Sequence, residues 1–451
     1  MMSLALSADV LKGTLHGRDA QFVGASTDTR KLRKGELFVA IEGERFDGHH
    51  FLAEAINAGA AGALLARDMQ TQLPHVVVPD TRYALGELAA FWRSQFSIPL
   101  IGITGSNGKT TVKEMIASIM WRRGHGCVTQ GNFNNDIGMP LTLLRLRERD
   151  KYAVIEMGMN HKGEINYLTR LARPTVALIN NAAEAHLAGL GTVEDVARAK
   201  GEIYAGLAID GVAVINAEDA FCDLWKTLAK PHRTLTFGIE RSADFVARYS
   251  LNRGGSAVHI ETPQGNIDVR LPLLGRHNVL NALGATAASL AAGATIQDIV
   301  PALEKLKAIA GRLEVKEGVS GACVIDDTYN ANPASLAAGL QVLKDFSGER
   351  VLVLGDMGEL GPQAPALHER VGELARTLGI QRLYGFGELA RHAVTKFGRG
   401  SRHFEVPEAL IDALHECMHA EMTVLIKGSR SMRMERIVAG VLRTNSEKGS
   451  G

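Results

Sequence analysis

The hydrophobic and polar positions of this chain follow two alternating periods. Short apolar runs rich in β-branched residues are followed by segments whose apolar positions recur every three or four residues. Strands and helices therefore alternate, which predicts an α/β protein with mostly parallel sheets and helices on their faces. The chain has 451 residues, enough for about three domains.

The predicted elements fall into three units. We predict a small α/β domain over 1–82, a central parallel-sheet domain with a P-loop over 83–311, and a smaller doubly wound, Rossmann-like domain over 312–451. The predicted strands are Leu37–Ile41, Ala63–Leu65, His75–Val78, Tyr152–Glu156, Val176–Asn180, Val212–Asn216, Ala322–Asp326, Val351–Leu354, Gln381–Tyr384 and Thr423–Ile426. The predicted helices are Phe51–Ala58, Tyr83–Phe96, Lys162–Leu171, Val193–Leu207, Asn278–Ala292, Ser335–Leu343, Pro365–Leu378 and Ala409–Met418. The stretch Arg233–Arg270 alternates in character and is predicted to form an antiparallel annex.

One strand–turn–helix segment carries the strongest local signal. An apolar run over 99–103 leads into TGSNGKTT at 104–111, and a helical pattern follows. The N–H groups of such a turn and the positive end of its helix converge on one point, where phosphate binds. Gly105 and Gly108 let the backbone approach a ligand, Lys109 can neutralise phosphate charge, and Thr110 can bind Mg²⁺. An ATP site is predicted.

The loop departs from the usual G-x-x-x-x-G-K-[ST] pattern, because Ile103 stands where the first glycine belongs. An ordinary glycine-rich turn between a strand and a helix is the alternative interpretation. The Gly-Lys-Thr-Thr ending and the flanking strand and helix favour the phosphate loop over that alternative.

Polar residues end several predicted strands of the central domain. Thr104, Glu156, Asn180 and Asn216 hold these positions, and ligands of open parallel sheets bind beyond the carboxyl ends of strands. A carboxylate beside a phosphate loop can hold Mg²⁺, so Glu156 is a candidate metal ligand, with an ordinary surface glutamate as the alternative.

Further candidates lie later in the chain. His186 follows a strand and could bind metal or phosphate, although a lone histidine is usually structural. Asn278 and Asn281 could contact an adenine edge, with helix capping by Asn278 as the alternative. Arg312, at the domain joint, could reach a γ-phosphate. The acidic and amide string at 326–333 suggests ligand contacts or a simple turn.

Composition excludes several classes of protein. The 50 basic and 49 acidic residues nearly cancel, so we expect no nucleic-acid partner, and the charged run Arg145–Lys151 is interpreted as a solvated surface. Four cysteines without metal-type spacing fit a reducing cytoplasm. We find neither a signal-peptide pattern nor an apolar run of membrane-spanning length. A cytoplasmic protein without membrane insertion is expected.

The motifs together resemble the Mur ligases, and the resemblance covers nearly the whole chain. The strings that carry it are STDTR at 26–30, FVAIEG at 38–43, FDGH at 46–49, GNFNN at 131–135, AHL at 185–187, AKGEI at 199–203, DDTYNANP at 326–333, GDMGELG at 355–361 and KGSR at 427–430. The resemblance implies a monomeric, ATP-dependent amide ligase of peptidoglycan synthesis. Its implied reaction joins D-alanyl-D-alanine to UDP-MurNAc-tripeptide through an acyl phosphate, giving UDP-MurNAc-pentapeptide, ADP and phosphate.

The resemblance also implies roles for individual residues. The implied ATP contacts are Gly105, Ser106, Asn107, Gly108, Lys109, Thr110, Thr111, Asn278, Asn281, Arg312 and Asp327. The implied ligands of two Mg²⁺ ions are Thr110, Glu156, His186 and Lys200, the last as a carbamate formed with CO₂. The implied catalytic residues are Lys109, Lys200, His186 and Arg312. The implied substrate contacts are Ser26, Thr29, Arg30, Asp47, Gly48, His49, Asn134, Asn135, Tyr329, Asn330 and Lys427. From the residues alone, Lys200 would be a solvated charge on a helix.

Two other functions compete with this one. A folylpolyglutamate-type ligase would share the phosphate loop and the lysine but not the NFNN and YNANP strings. A P-loop NTPase acting as a switch or motor would hydrolyse nucleotide without forming an amide, and it would leave the third domain unexplained.

Overall fold

The structure is a computed structural model that describes residues 1–43, 46–185, 187–252 and 255–443. Its N-terminal domain is a five-stranded sheet in the order β2-β7-β6-β5-β4, beside a two-stranded sheet of β1 and β3. The strands are β1 (Met2–Ser3), β2 (Thr14–His16), β3 (Gln21–Phe22), β4 (Ala25–Ser26), β5 (Leu37–Val39), β6 (Gly62–Leu65) and β7 (His75–Val77). The helices are α1 (Leu4–Leu11), α2 (Leu52–Asn57) and α3 (Thr81–Ser94). Strand β2 runs antiparallel to β7, and the other neighbours in the larger sheet are parallel.

Helix α3 begins two residues before the predicted start. The Asp80 side chain accepts hydrogen bonds from the backbone N–H groups of Arg82, at 2.8 Å, and Tyr83, at 3.0 Å. An N-cap aspartate satisfies N–H groups that have no partner within the helix. The predicted division between residues 82 and 83 therefore falls inside the first turn of α3.

The central domain is a nine-stranded sheet in the order β16-β15-β14-β13-β12-β11-β8-β10-β9. Its strands are β8 (Leu100–Thr104), β9 (Gly126–Val128), β10 (Tyr152–Glu156), β11 (Val176–Ile179), β12 (Val212–Asn216), β13 (Arg233–Gly238), β14 (Phe245–Asn252), β15 (Gly255–Thr262) and β16 (Gly265–Leu271). Its helices are α4 (Lys109–Trp121), α5 (Gly138–Leu143), α6 (Glu164–Ala172), α7 (Leu187–Leu190), α8 (Val193–Gly201), α9 (Cys222–Leu228), α10 (Arg276–Ala291) and α11 (Ile296–Leu303).

The predicted antiparallel annex is only partly correct. Its first strand, β13, pairs in parallel with β12 and therefore belongs to the main sheet. The antiparallel character begins with the pairing of β14 and β15 and continues to β16, still within that sheet. The alternating residues of β14–β16 indicate strands but do not specify their direction, which depends on the connections between them.

The central strand β8 is buried on both faces. Ile101 and Ile103 pack in one apolar cluster with Met115 and Ile119 of α4, while Leu100 points to the opposite cluster. Alternate side chains of a strand point to opposite faces, so helices must cover both sides of this sheet. The second cluster continues into the N-terminal domain through α3 and joins the two domains in one core.

The C-terminal domain is a six-stranded sheet in the order β17-β18-β22-β19-β20-β21, parallel except for the edge strand β17. Its strands are β17 (Glu314–Glu317), β18 (Cys323–Asp327), β19 (Glu349–Gly355), β20 (Arg382–Phe386), β21 (Ser401–Phe404) and β22 (Met422–Lys427). Its helices are α12 (Pro333–Lys344), α13 (Ala364–Thr377), α14 (Ala390–Phe397), α15 (Pro407–His415) and α16 (Glu435–Val441). In the described part of the chain, no helix combines the length and apolar character needed to cross a membrane.

The charged run Arg145–Lys151 is the predicted solvated surface in part. Arg145, Glu148, Arg149 and Lys151 are exposed, whereas Arg147 is half-buried and Asp150 is buried. Asp150 is 3% exposed, and its carboxylate lies 2.6 Å from Nδ1 of His125. The guanidinium of Arg147 donates to the carbonyl oxygens of Leu144, at 2.9 Å, and Leu146, at 2.8 Å. These two charges hold the loop before β10 together, which local sequence does not reveal because His125 lies 25 residues away.

Candidate active site

A cleft of about 910 Å³ lies between the central and C-terminal domains. Glu156, at the end of β10, lines it from the central domain, and Asp327 and Lys427, at the ends of β18 and β22, line it from the C-terminal domain. The two sheets thus present the carboxyl ends of their parallel strands to the same space. That edge is where open α/β sheets bind ligands.

The predicted phosphate loop opens helix α4 at the floor of the cleft. Gly108 precedes the helix with a φ of 79°, and a Cβ there would lie 2.5 Å from Nδ2 of Asn180 and 2.6 Å from Oδ1 of Asn281. Both the left-handed backbone and the crowding require glycine. The N-terminus of a 13-residue helix faces the cleft, and its free N–H groups and dipole favour an anion.

The loop is fastened to the end of strand β11 by two adjacent asparagines. The Asn107 N–H donates to Oδ1 of Asn181 at 2.8 Å. The Asn107 carbonyl accepts from Nδ2 of Asn180 at 2.9 Å and from Nδ2 of Asn181 at 3.0 Å. These bonds fix the loop before any ligand arrives, so a phosphate would enter a preformed cradle. The sequence identified Asn180 only as a polar strand end and did not identify Asn181.

Two lysines in or beside this cradle form no ion pair with a described residue, although the charge of Glu156 acts on Lys109 from beyond ion-pair distance. The Lys109 ammonium donates to the Gly105 carbonyl at 2.6 Å. Lys200 is 2% exposed, so the expectation of a solvated helix charge was wrong. Burial lowers the pKa of both amines, that of Lys200 to well below its ordinary value with a further contribution from the Lys109 charge. Within the described ranges, neither ammonium forms an ion pair with a carboxylate.

Oxygen atoms of the kind that a hard cation prefers lie beside Lys109. The Thr110 hydroxyl donates to Oε2 of Glu156 at 3.1 Å, and Nδ2 of Asn134 donates to Oε1 at 2.8 Å. Glu156 is 3% exposed, and hydroxyl and carboxylate oxygens are ligands that Mg²⁺ accepts. These residues therefore fit the predicted metal role. His186, another of the predicted ligands, lies outside the described residues.

Arg312 reaches this point from the joint between the two domains. Its Nη2 donates to the Thr110 hydroxyl at 3.0 Å, and its guanidinium lies 4.2 Å from the centre of the Tyr329 ring. Its Nε is buried and has no acceptor among the residues that the structure describes. A buried donor without a partner costs free energy, and a phosphate oxygen would supply the missing acceptor. The position fits the predicted phosphate contact.

The two asparagines of α10 form part of a hydrogen-bonded chain. Nδ2 of Asn180 donates to Oδ1 of Asn281 at 2.8 Å, Nδ2 of Asn281 donates to Oδ1 of Asn278 at 3.0 Å, and Nδ2 of Asn278 donates to the Leu274 carbonyl at 2.8 Å. Gly275 occupies the N-cap position of α10, so capping by Asn278 is wrong. Both amides line the cleft, and their adenine contact stays a prediction.

The C-terminal side of the cleft contains a paired lysine. Nζ of Lys427 lies 2.6 Å from Oδ2 of Asp327 and 2.9 Å from the Asn330 carbonyl. Burial raises the pKa of Asp327, while the Lys427 charge and hydrogen bond oppose that rise. Tyr329 and Asn330 line the same wall. The predicted ribose and substrate contacts of this domain therefore lie together.

Besides the bond from Arg312 to Thr110, two further contacts between described residues bridge the domains across the cleft. Nδ2 of Asn332 donates to Oδ1 of Asn107 at 2.8 Å, while Oδ1 of Asn332 accepts from the Ser335 N–H and caps α12. The Arg370 guanidinium bonds to the Glu184 carboxylate. Neither Arg370 nor Glu184 was identified from the sequence, because the two residues are 186 positions apart.

The N-terminal candidates form a separate group. Ser26 ends β4, and the Ser26 hydroxyl donates to the Asp28 carbonyl at 3.0 Å. The 3₁₀ turn at 48–51 begins after Asp47, whose Oδ1 lies 2.5 Å from Nδ1 of His49. Of the described residues in 1–82, Arg82 lines the cleft. The six predicted contacts of this domain, which the structure places away from the cleft lining, are Ser26, Thr29, Arg30, Asp47, Gly48 and His49.

Arg82 was missed by the sequence interpretation. Its guanidinium forms a bidentate pair with Asp136, with one bond of 2.9 Å, and both residues line the cleft. Asn134 and Asn135 lie in the same loop and also line it. Asn135 accepts the Gly138 N–H at 2.8 Å through Oδ1, which supports the start of α5. This wall joins the N-terminal helix α3 to the central domain.

Comparison with known proteins agrees with this architecture. Three family models match the chain: the Mur ligase family catalytic domain over 21–93, the Mur ligase middle domain over 103–289, and the Mur ligase glutamate ligase domain over 311–430. These matched segments correspond to the three domains seen in the structure.

Individual proteins resemble the chain over nearly its full length. The UDP-N-acetylmuramoyl-tripeptide–D-alanyl-D-alanine ligase of Escherichia coli (strain K12) is 45% identical, covering 97% of this chain and 98% of the relative. A crystal structure of MurF from Acinetobacter baumannii is 36% identical, covering 97% of both chains, with a TM-score of 0.91. A MurF ligase from Thermotoga maritima in complex with ADP is 28% identical, covering 92% and 96%, with a TM-score of 0.82. The chain belongs to the Mur ligase family.

Proposed function

We propose that this protein uses ATP to join D-alanyl-D-alanine to UDP-MurNAc-tripeptide, giving UDP-MurNAc-pentapeptide, ADP and phosphate. The observation that carries the proposal is the convergence of Lys109, Thr110 and Arg312 at the N-terminus of α4. This cluster suits a triphosphate whose terminal phosphate points into the cleft. The full-length similarity to ligases bearing that name supplies the substrates.

The residues of the cleft match the chemistry of amide formation from a carboxylate. A carboxylate oxygen is a poor leaving group, so attack on the γ-phosphate of ATP would convert the carboxylate to an acyl phosphate. The amine of D-alanyl-D-alanine would then attack the carbonyl carbon and displace phosphate. Negative charge moves between oxygens at each stage, and Lys109 and Arg312 can stabilise it electrostatically.

We assign the nucleotide contacts to predicted residues that line the cleft. Ser106, Asn107 and Thr111 line the phosphate cradle beside Gly108, and Asn278 with Asn281 would hold the adenine. Asp327 would meet the ribose from the opposite wall. The bridge between Asn332 and Asn107 holds the two walls together, which would shield an acyl phosphate from water.

Mg²⁺ fits the oxygen donors of Thr110 and Glu156, and when bound it would neutralise charge on the phosphate oxygens. The hydrogen bond from Asn134 fixes one oxygen of Glu156, so the carboxylate is oriented before the ion arrives. Lys109 lies on the same side of the loop, and its charge would act with the ion on the same phosphates. A second Mg²⁺ would need a further anionic ligand, which brings Lys200 into the proposal.

A carbamate on Lys200, formed with CO₂, accounts for the burial of this lysine. A buried ammonium without an acidic partner is costly, and burial has already lowered the pKa of the amine. Carbamylation requires the neutral amine and yields an anionic oxygen ligand. His186 would assist at the same metal pair. We expect Lys200→Ala to lose most activity and short carboxylic acids to restore part of it; near-normal turnover of the variant would rule out the carbamate.

The remaining assignments concern the substrate contacts, the roles of the domains, the oligomeric state and the location of the protein. The strings at 26–30 and 47–49 would hold the UDP-sugar, and Asn134 and Asn135 would lie near the peptide. We propose that the UDP-sugar is bound by residues 1–82, ATP by residues 83–311 and the dipeptide by residues 312–451. A monomer is proposed on family resemblance. A cytoplasmic location is proposed on the nucleotide requirement and on four free cysteines.

One assay tests the proposal against its alternatives. The purified protein is incubated with Mg-ATP, UDP-MurNAc-tripeptide and D-Ala-D-Ala, with a matched reaction that lacks the dipeptide. We expect UDP-MurNAc-pentapeptide, ADP and phosphate in equal amounts, with the amide product absent from the control. Phosphate release without amide formation would support an NTPase. A parallel reaction contains Mg-ATP, a folate and glutamate. Glutamate addition there, with no pentapeptide formed in the first reaction, would support a folylpolyglutamate-type ligase.

A further inference from the structure

A histidine–aspartate–histidine cluster lies in the N-terminal domain, outside the cleft. His16 ends strand β2 and His75 begins strand β7, and the antiparallel pairing of these strands places the two residues directly opposite each other. Their imidazole rings stack at 5.1 Å with an angle of 4° between planes. Asp68, in the connection between β6 and β7, brings its carboxylate to both rings.

The hydrogen bonds of His75 leave a place for a cation. Its Nδ1 lies 3.0 Å from the Leu73 carbonyl oxygen, which can only accept, so Nδ1 carries a proton. Its Nε2 lies 3.0 Å from Oδ1 of Asp68. In the neutral ring Nε2 bears a lone pair, and a lone pair facing a carboxylate oxygen is repelled. A cation between these two atoms would remove the repulsion.

Three candidate ligands surround this point. His75 is 3% exposed, and Nδ1 of His16 lies 3.6 Å from the same Asp68 oxygen. Because the two rings are nearly parallel, their in-plane lone pairs do not point at one spot, and His16 would turn about its side-chain bonds to share an ion with His75. The candidate ligand atoms of His16, Asp68 and His75 all lie within 4.8 Å of one another. Ligands of a tetrahedral Zn²⁺ with bonds of about 2.0–2.1 Å are separated by about 3.3 Å. The observed separations of 3.0 and 3.6 Å lie on either side of that value.

We infer that His16, Asp68 and His75 bind a transition-metal dication of the Zn²⁺ class. Two imidazoles and a carboxylate are ligands that this class prefers over Mg²⁺ or Ca²⁺. The Leu73 carbonyl orients His75 from behind, as partners of metal-bound histidines commonly do. Asp68 has a side-chain exposure of 64%, so water can complete the coordination.

Such an ion would clamp the edge of the N-terminal sheet. Strand β2 is an edge strand three residues long, and short edges contribute few hydrogen bonds. The ion would tie β2 to β7 and to the connection that carries Asp68. This inference does not depend on the proposed ligase activity, because none of the three residues lines the cleft.

The experiment uses the full-length protein stripped of metal with a chelator. Zn²⁺ is titrated by calorimetry in excess Mg²⁺, which occupies oxygen-rich sites, and thermal unfolding is followed with and without Zn²⁺. His16→Ala and Asp68→Asn remove the partly exposed ligands and spare the buried His75. His50→Ala, an exposed histidine of the same domain, is the matched control.

We expect the wild type and His50→Ala to bind one Zn²⁺ equivalent that raises the unfolding temperature. His16→Ala and Asp68→Asn should each weaken that equivalent by more than about tenfold, since even indirect partners of a metal contribute that much. They should also lose the thermal shift. Equal Zn²⁺ binding by all four proteins, or no Zn²⁺-dependent shift in the wild type, would overturn the inference.

Discussion

The lysines on the two sides of the cleft differ in whether they have an acidic partner. On the central-domain side, Lys109 and the buried Lys200 form no ion pair with an acidic residue of the described chain. On the C-terminal side, Lys427 is held by Asp327 at 2.6 Å. Both sheets present parallel strand ends to one cavity, so the difference lies in the charge partners rather than in the architecture.

This difference distinguishes lysines that bind an anionic ligand from lysines that stabilise the fold. An unpaired cation in a closed environment is costly unless an anion arrives, which suits a phosphate or a modifying CO₂. The two charges of a buried ion pair neutralise each other, and such a pair chiefly fixes the positions of its own side chains. We therefore expect Lys109 to matter for chemistry more than for folding, and Lys427 to matter strongly for folding.

The largest expected effect comes from Lys109→Met. Loss of the cation should lower ATP-dependent turnover by about 10²–10³-fold, the range measured when one electrostatic group is removed from a transition state. The free energy of unfolding should change by about 1 kcal/mol or less, because one hydrogen bond to a carbonyl is lost. Turnover and denaturant unfolding measured on the same samples check both expectations. A large loss of stability would contradict the comparison.

The next effect concerns Lys427→Met. Asp327 would be left as an unpaired buried carboxylate, and breaking a buried pair costs about 3–5 kcal/mol. Denaturant unfolding of the C-terminal domain measures this loss. The double variant Lys427→Met/Asp327→Asn removes both charges and should recover much of it. Equal stability of the single variant and the wild type would show that this pair is not structural.

A smaller effect is expected for the bridge between Arg370 and Glu184. The side chains of this pair are 58% and 28% exposed, and exposed pairs contribute about 0–1 kcal/mol. Arg370→Ala should therefore weaken binding of an ATP analogue by less than about fivefold. Arg391→Ala, which removes an exposed pair within the C-terminal domain, is the control. A loss much greater than fivefold would mean that this bridge governs closure of the cleft.

A pH dependence is expected at Glu218, a paired charge of the central domain. Burial raises the pKa of Glu218, but three backbone N–H groups and Arg276 outweigh burial and bring the pKa from 4.5 to about 2. A lowered pKa stabilises the fold above the ordinary value, and this stabilisation is lost as pH falls from 4.5 towards 2.

The unfolding free energy of Glu218→Gln should accordingly fall less steeply over that pH range than the free energy of the wild type. Glu240→Gln changes the more exposed partner of Arg276 and should leave the slope unchanged. Parallel slopes for Glu218→Gln and the wild type would show that this carboxylate is not stabilised by its hydrogen bonds.

Sequence predicted the parts of the fold that periodicity encodes. Strands β10 and β12 match their predicted bounds because each is a buried apolar run ending in a polar residue. Strand β17, with the sequence EVKE, was missed because an antiparallel edge strand carries no apolar run. Helix α5 was missed because it has six residues and contains Pro140.

The site was predictable wherever one short motif holds the chemistry, as in the loop from Gly105 to Thr111. Contacts between distant segments were not predictable. For example, Asn107 of this loop is held by Asn181, which lies 74 residues away. Helix α8, which carries the buried Lys200, packs against α6 and α9, and no local pattern shows these contacts. Asp326 and Asp327 look equivalent in sequence, yet Asp326 pairs with Lys316 and Asp327 with Lys427.

Helix α4 offers the most direct test of the claim that lysines without an acidic partner mark the polyphosphate site, because it contains one lysine with such a partner and one without. Lys109 forms no ion pair with a residue that the structure describes, and it lines the cleft. Lys113 is buried, donates to the Thr129 carbonyl at 2.9 Å and lies 2.8 Å from Glu114. The measurement is the affinity of Lys109→Met and Lys113→Met for a non-hydrolysable ATP analogue, each compared with the wild type. We predict at least a tenfold loss, about 1.4 kcal/mol, for Lys109→Met and no loss for folded Lys113→Met. Equal affinities of the two variants would contradict the claim that unpaired lysines mark the polyphosphate site.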